Sequence, residues 1–297
     1  MNVPKPMVVE FTHQDRKFEI IPLYKEVFHY TASIKEDPSL DNKKEHYNKV
    51  FTPFYNLIKK RNLGLSKDMD SYFTPTLLEQ QLEDNTIELL HNQDNINSLI
   101  KEAIISSLEL LKGGNKTIFV MPLNPDNTTH IQEMGGVTGA ALNQNVILLH
   151  VDPAFSEALL KYTVAREYNL TVALESLGAR DYTLVNSVIL EGKADTFASL
   201  IYPDQTVPWT EALSADSEQI VLDVIRTSMK LKDFTSVYQE LHQGNYNKGI
   251  PMWSSYKLGF TIMQSYLQNN PEVTVNKWTR FKAEDIVKGS DYQDLLR

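Results

Sequence analysis

Two short segments of this chain carry carboxylates at spacings that chemistry can use. They are Val164-Ala-Arg-Glu-Tyr-Asn-Leu170 and Leu190-Glu-Gly-Lys-Ala-Asp195. The first has the frame of HExxH, in which two histidines one helical turn apart bind zinc and the glutamate polarises the metal-bound water. Glu167 stands at the glutamate position, while the two histidine positions hold Arg166 and Leu170. In the second segment Glu191 and Asp195 are four residues apart and share one helix face. Without a metal, Glu167 is left with proton abstraction alone, which contributes roughly 10²–10⁴-fold. That is small beside the barrier of peptide hydrolysis. A structural ion pair is therefore the first expectation for Arg166 and Glu167, because an unpaired buried charge is costly.

Helices must position both segments. Residues 155–177 read as one helix, apolar at Val164, Ala165, Val172, Ala173, Leu174 and Leu177, and expected to be largely buried. Residues 184–201 read as the next, with Gly178 and Asp181 at the join. Gly192 removes a side chain where two helices approach. The first hundred or so residues read as mainly helical. Residues 20–62 carry Leu23, Val27, Tyr30, Val50, Phe54 and Leu57 at helical spacing, broken near Asp37-Pro38-Ser39. Residues 76–111 are a second helical region, with Leu89, Leu90, Ile96, Leu99, Ile104, Leu108 and Leu111 as its buried stripe and Gly113-Gly114 at its end. There the texture changes. Residues 116–122 and 145–151 are β-rich runs, and Gly135-Gly136-Val-Thr-Gly139 between them suits a turn or close backbone approach. Further helices are expected over 211–230, 232–243 and 252–269. The expected fold is α+β and mostly helical, a helical region 1–112 followed by 113–297, together one continuous structural unit.

These motifs resemble the YjaZ-type family of bacterial predicted Zn-dependent proteases. Its members read His-Glu-Tyr-His-His on the first helix and Glu-Gly-x-Ala-Asp/Glu on the second, and Glu167-Tyr168 and Glu191-Gly-Lys-Ala-Asp195 match. Pro251-Met-Trp253-Ser-Ser-Tyr256-Lys-Leu-Gly259-Phe260 is similar to the family's Pro-x-Trp-x-x-Tyr-x-x-Gly-Tyr segment. The resemblance covers roughly 85–270. It implies a zincin-like (gluzincin) core with a small sheet, and zinc ligands at 166, 170 and 191. It also implies Asp195 as the acid that orients a ligand histidine, and Tyr256 as a transition-state donor. Only Glu191 of the three ligand positions can serve. Arg166 is always cationic and repels a metal ion, Leu170 offers it nothing, and so no metal or other cofactor is expected. Arg166 is expected to replace the metal electrostatically, pairing with Glu191 and with Glu167 or Asp195.

The first functional reading is thus a non-catalytic relative that keeps a peptide- or protein-binding cleft. The run with Asn145, Ile147 and Leu149 is expected to be the edge strand along which an extended peptide aligns. The second is a working hydrolase, using an unusual ligand set or acid–base chemistry of Glu167 and Glu191. Of the seven histidines, His150, His130 and His242 lie nearest these segments, and none shows the i, i+4 spacing of a helical metal site. No Gly-x-Ser-x-Gly elbow or phosphate-binding loop occurs. A net charge of −9 and a pI near 5.3 argue against nucleic acid as a partner. No run is apolar enough to span a membrane. With no cysteine, disulfides and thiol chemistry are excluded. The compartment stays open, since cytosol and export with a removed signal both fit.

Overall fold

The computed structural model describes residues 3–64, 69–177 and 183–296, so the expected helix join at Gly178 and Asp181 lies outside the described residues. The chain forms two compact units. The first comprises Met1–Leu108 and Gly113–Thr171, the second Glu109–Lys112 and Val172–Arg297.

The first unit is built on a five-stranded mixed sheet. Its strands are β1 (Val9–His13), β2 (Arg16–Pro22), β3 (Lys116–Pro122), β4 (Val137–Asn143) and β5 (Val146–Val151), in the order β1-β2-β3-β5-β4. The inner strands β2, β3 and β5 are parallel, and β1 and β4 are antiparallel edges. Gln14 and Asp15 both take positive φ in the two-residue turn between β1 and β2, as a tight hairpin demands. The helices are α1 (Tyr24–Glu36), α2 (Asn42–His46), α3 (Thr52–Lys60), α4 (Glu79–His91), α5 (Gln93–Leu110), α6 (Thr128–Glu133) and α7 (Glu157–Leu174). One sheet face, with Ile21, Phe119, Met121, Ala140, Leu142 and Leu148, packs on Val27, Tyr30, Phe54, Ile58 and Leu82 of α1, α3 and α4. The other face carries α7, where the Lys116 ammonium lies 6.0 Å from the Tyr168 ring centroid.

Two expectations change. Ile20 and Ile21, placed by spacing in a helical run, belong to β2, which pairs with β3 far along the chain. The expected edge strand is interior. Thr117 donates to Asn145 O and Leu123 to Val151 O, so Asn145, Ile147 and Leu149 turn their backbone groups toward β3, and the even residues of β5 face β4. The edge on that side is β4, whose small residues gave no strand signal in the sequence.

The second unit contains α8 (Leu184–Ile201), a 3₁₀ turn (Pro208–Thr210), α9 (Ala215–Ser228), α10 (Thr235–Gln243), α11 (Ser254–Asn269), α12 (Val275–Arg280) and α13 (Ala283–Lys288). Thr183 caps α8 by accepting the Asn186 N–H. α8 is buried nearly all round, as a central helix must be to carry apolar residues on every side. The helix that meets Gly192 is α11. A Cβ on Gly192 would lie 2.1 Å from Gly259 O, and one on Gly259 2.1 Å from Val188 O. The Glu-Gly-Lys-Ala-Asp and Trp-x-x-Tyr-x-x-Gly segments thus meet glycine against glycine.

Candidate functional site

In the first unit, Arg166 and Glu167 lie mid-way along α7, 7% and 1% exposed. Arg166 Nη1 donates to Glu167 Oε1 at 2.7 Å. Neighbouring helix residues diverge by about 100°, so the long arginine side chain must curl back to make this contact. Glu167 rises against β4, where a Cβ on Gly139 would sit 2.6 Å from Glu167 Cγ and 2.9 Å from Thr163 Cγ2. Glycine at 139 is what lets the Glu167 side chain reach the sheet edge. Leu170, a half-buried hydrocarbon on the same helix, contributes no donor atom.

The ladder fixes what β4 offers outward. Asp152 donates to Gly136 O, and β4 pairs with β5 in that register. Thr138 and Ala140 therefore bond inward, ahead of a register shift at Leu142, and Gly139 and Ala141 turn their N–H and C=O groups to the outer side. Among the described residues no strand pairs with that side. The strand carries no lysine, glutamate or proline, the residues that usually protect an edge.

In the second unit, Glu191 is half-buried and accepts a 2.8 Å hydrogen bond from the Tyr238 hydroxyl of α10. Buried Asp195 accepts from Trp209 Nε1 at 2.9 Å. Trp209 packs edge-on to Trp253. The His242 ring packs likewise on Tyr256, 5.1 Å between centroids, and its carbonyl accepts the Trp253 N–H. Tyr256 is half-buried against this histidine. Lys193, between the two acids, is 2% exposed and donates to the carbonyls of Thr279 and Phe281. Burial lowers its amine to about 7, with Asp285 opposing. Tyr238 and Trp209 had no sequence signal, since each is a single donor far from the acid it serves.

His150 extends from β5 on the sheet face of Leu148, the face away from Gly139 and Glu167. Its Nε2 lies 3.1 Å from Tyr72 O. Loss of water around the ring lowers its pKa to about 4, with His130 and His46 adding to the fall.

An acid-bearing helix lies beneath the edge of a mixed sheet, in an α+β and mostly helical protein. The chain belongs to the Predicted Zn-dependent protease (DUF2268) family, whose model matches residues 96–288. That span runs from α5 to the end of α13. No curated protein and no solved structure matches the chain. Zinc needs three protein donors and an open position for catalysis. Among the described residues no three His, Cys, Asp or Glu side chains group as a metal site. Arg166, a guanidinium engaged with Glu167, and Leu170, a hydrocarbon, offer no donor to a metal beside Glu167, so these residues do not fit zinc. Among the described residues no helix is long and apolar enough to cross a membrane.

Proposed function

We propose that this chain is a non-catalytic member of its family that binds an extended peptide or protein segment along β4. The observation that carries this reading is Gly139. It brings Glu167, already bound to Arg166 at 2.7 Å, against the strand whose outward backbone groups are unpaired by any described strand. A cation at 166 disfavours a second cation there, so Glu167 serves as half of an ion pair rather than as the base for a metal-bound water. Strand addition needs only main-chain donors and acceptors in register, and these do not depend on the residues at 166 and 170.

The test uses fluorescein-labelled casein, an unfolded protein, as probe. The chain should bind it without cleaving it, with or without added zinc. A141P removes an outward N–H while sparing the inner ladder, and should weaken binding about threefold to tenfold. Hydrolysis that rises with zinc occupancy would overturn the reading, as would unchanged binding in A141P. R166H/L170H places two histidines one turn apart on α7, and should take up zinc where the parent does not.

A further inference from the structure

We infer that a trough at the N-terminal ends of β2 and β3 binds a zwitterion the size of a dipeptide, its ammonium on Glu10 and its carboxylate on Lys17. The site lies wholly within the first unit, on the sheet face that carries α3. Along that face Ile21 and Phe119 are packed beneath helices. One pleat earlier, the same side of each strand holds Glu19 and Thr117 instead. α3 ends at Lys60, and beyond it this polar stretch opens as a trough of about 800 Å³. The β1–β2 hairpin lines it with Glu10 and Lys17, and Arg61, just past α3, forms part of its wall.

Register fixes the arrangement of charges. Glu10 stands directly opposite Glu19, and Lys17 lies two residues before Glu19 on the same strand. Glu10 and Lys17 are therefore diagonal neighbours on one face, about 7–8 Å apart. Like charges directly opposite each other are destabilising, and Arg61 bonds only one of the two acids. Its Nε donates to Glu19 Oε2 at 3.0 Å and its Nη2 to Glu19 Oε1 at 2.9 Å, a bidentate pair that occupies the fork. Glu10 and Lys17 take part in no ion pair among the described residues. The Asn115 side-chain oxygen takes the Lys17 backbone N–H and leaves the ammonium uninvolved. Thr117, beside Glu19 in register, is 6% exposed, and its hydroxyl has no hydrogen-bond partner among the described residues. A buried hydroxyl without a partner is costly, so the trough holds three groups that a ligand would satisfy.

A free dipeptide matches those groups. Its charged ends lie two residues apart, about 7 Å when extended, the same span as the Glu10–Lys17 diagonal. Its ammonium meets the carboxylate that Arg61 does not bond, and its amide oxygen is an acceptor for the Thr117 hydroxyl. A single amino acid carries its charges too close together to reach both ends, and a capped peptide lacks one of them.

The probe is Ala-Ala, titrated into the full chain and read by saturation-transfer NMR of its methyl groups. It should bind, and acetylating its amine or amidating its carboxylate should each weaken binding about tenfold. Glu10 and Lys17 are exposed, so Glu10→Gln and Lys17→Gln should keep the fold, as circular dichroism would report. Glu10→Gln should erase the preference for a free amine and keep that for a free carboxylate, and Lys17→Gln should do the reverse. Thr117→Val should weaken Ala-Ala about threefold and leave both preferences in place. Absence of binding, equal binding of free and capped dipeptides, or preferences that survive both substitutions would overturn the inference. A141P, which tests β4, should leave Ala-Ala binding unchanged, so this site and the proposed function stand or fall separately.

Discussion

The two acid-bearing helices bring different kinds of donor to their carboxylates. On α7, Glu167 is bound to a full positive charge on the adjacent residue, both nearly out of water. On α8, Glu191 accepts from the phenol of Tyr238 and Asp195 from the indole of Trp209, both of them neutral donors. A buried ion pair is tolerable only while both partners are present. A neutral donor adds direction to an acid without adding a charge of its own. The difference teaches that the buried cation at Arg166 comes with its counter-charge on the adjacent residue. The α8 segment instead combines a glycine crossing with neutral donors.

The largest effect expected from breaking this contrast is at Arg166. R166L strands Glu167 in the interior and should cost about 3–5 kcal/mol, measured by urea unfolding followed by circular dichroism. R166L/E167L should recover most of the loss. A cost under ~1 kcal/mol for R166L would mean that the pair is not buried as described. Next is Gly192→Ala, which drives a methyl into the Gly259 carbonyl and should cost about 3 kcal/mol. All three tryptophans, Trp209, Trp253 and Trp278, lie in the second unit. The loss should therefore appear as a lower midpoint in tryptophan fluorescence, and an unchanged midpoint would refute the tight α8–α11 crossing.

The smallest is a response to acid in the sheet unit. Burial lowers His46 from its usual 6.5 to about 4. Its folded pKa lies below its unfolded one, so its contribution is complete above about 6.5 and is lost as pH falls toward 4. At roughly 1.4 kcal/mol per pKa unit, about 2 kcal/mol should disappear between pH 6.5 and 5. H46F should flatten that slope. An equal slope in both proteins would assign the acid sensitivity elsewhere.

Much of the helical architecture was legible. α8 occupies the span expected from its apolar run, and Leu89, Leu90, Ile96, Leu99, Ile104, Leu108 and Leu111 are all buried. The strands were harder to read. Ile20, Leu23 and Val27 fit a helical period although Ile20 is in β2, because β2 runs directly into α1 and its pairing with β3 lies far along the chain. β4 is built of Gly, Ala and Thr beside few branched residues, so its pattern resembles a loop. Of the site, the acids and the glycines could be found by motif. Their partners could not, because Tyr238 and Trp209 meet Glu191 and Asp195 only through tertiary packing. The edge-strand expectation failed for a related reason: hydrophobicity identifies a buried strand but not its neighbours.

The sheet also dictates a schedule for making the protein. Lys17 bonds to Asn115 across 98 positions, and β3 in turn needs β5. During synthesis the β1–β2 hairpin must wait, with one side of β2 unpaired, while α1 to α5 are made, and the sheet closes only once Val151 is free of the ribosome. Such long-range pairing slows folding and leaves a strand edge exposed in the nascent chain. The helices that emerge in between cover Ile21 in the finished unit, so they can shield the apolar face of β2 during the wait, while its open backbone edge must await β3.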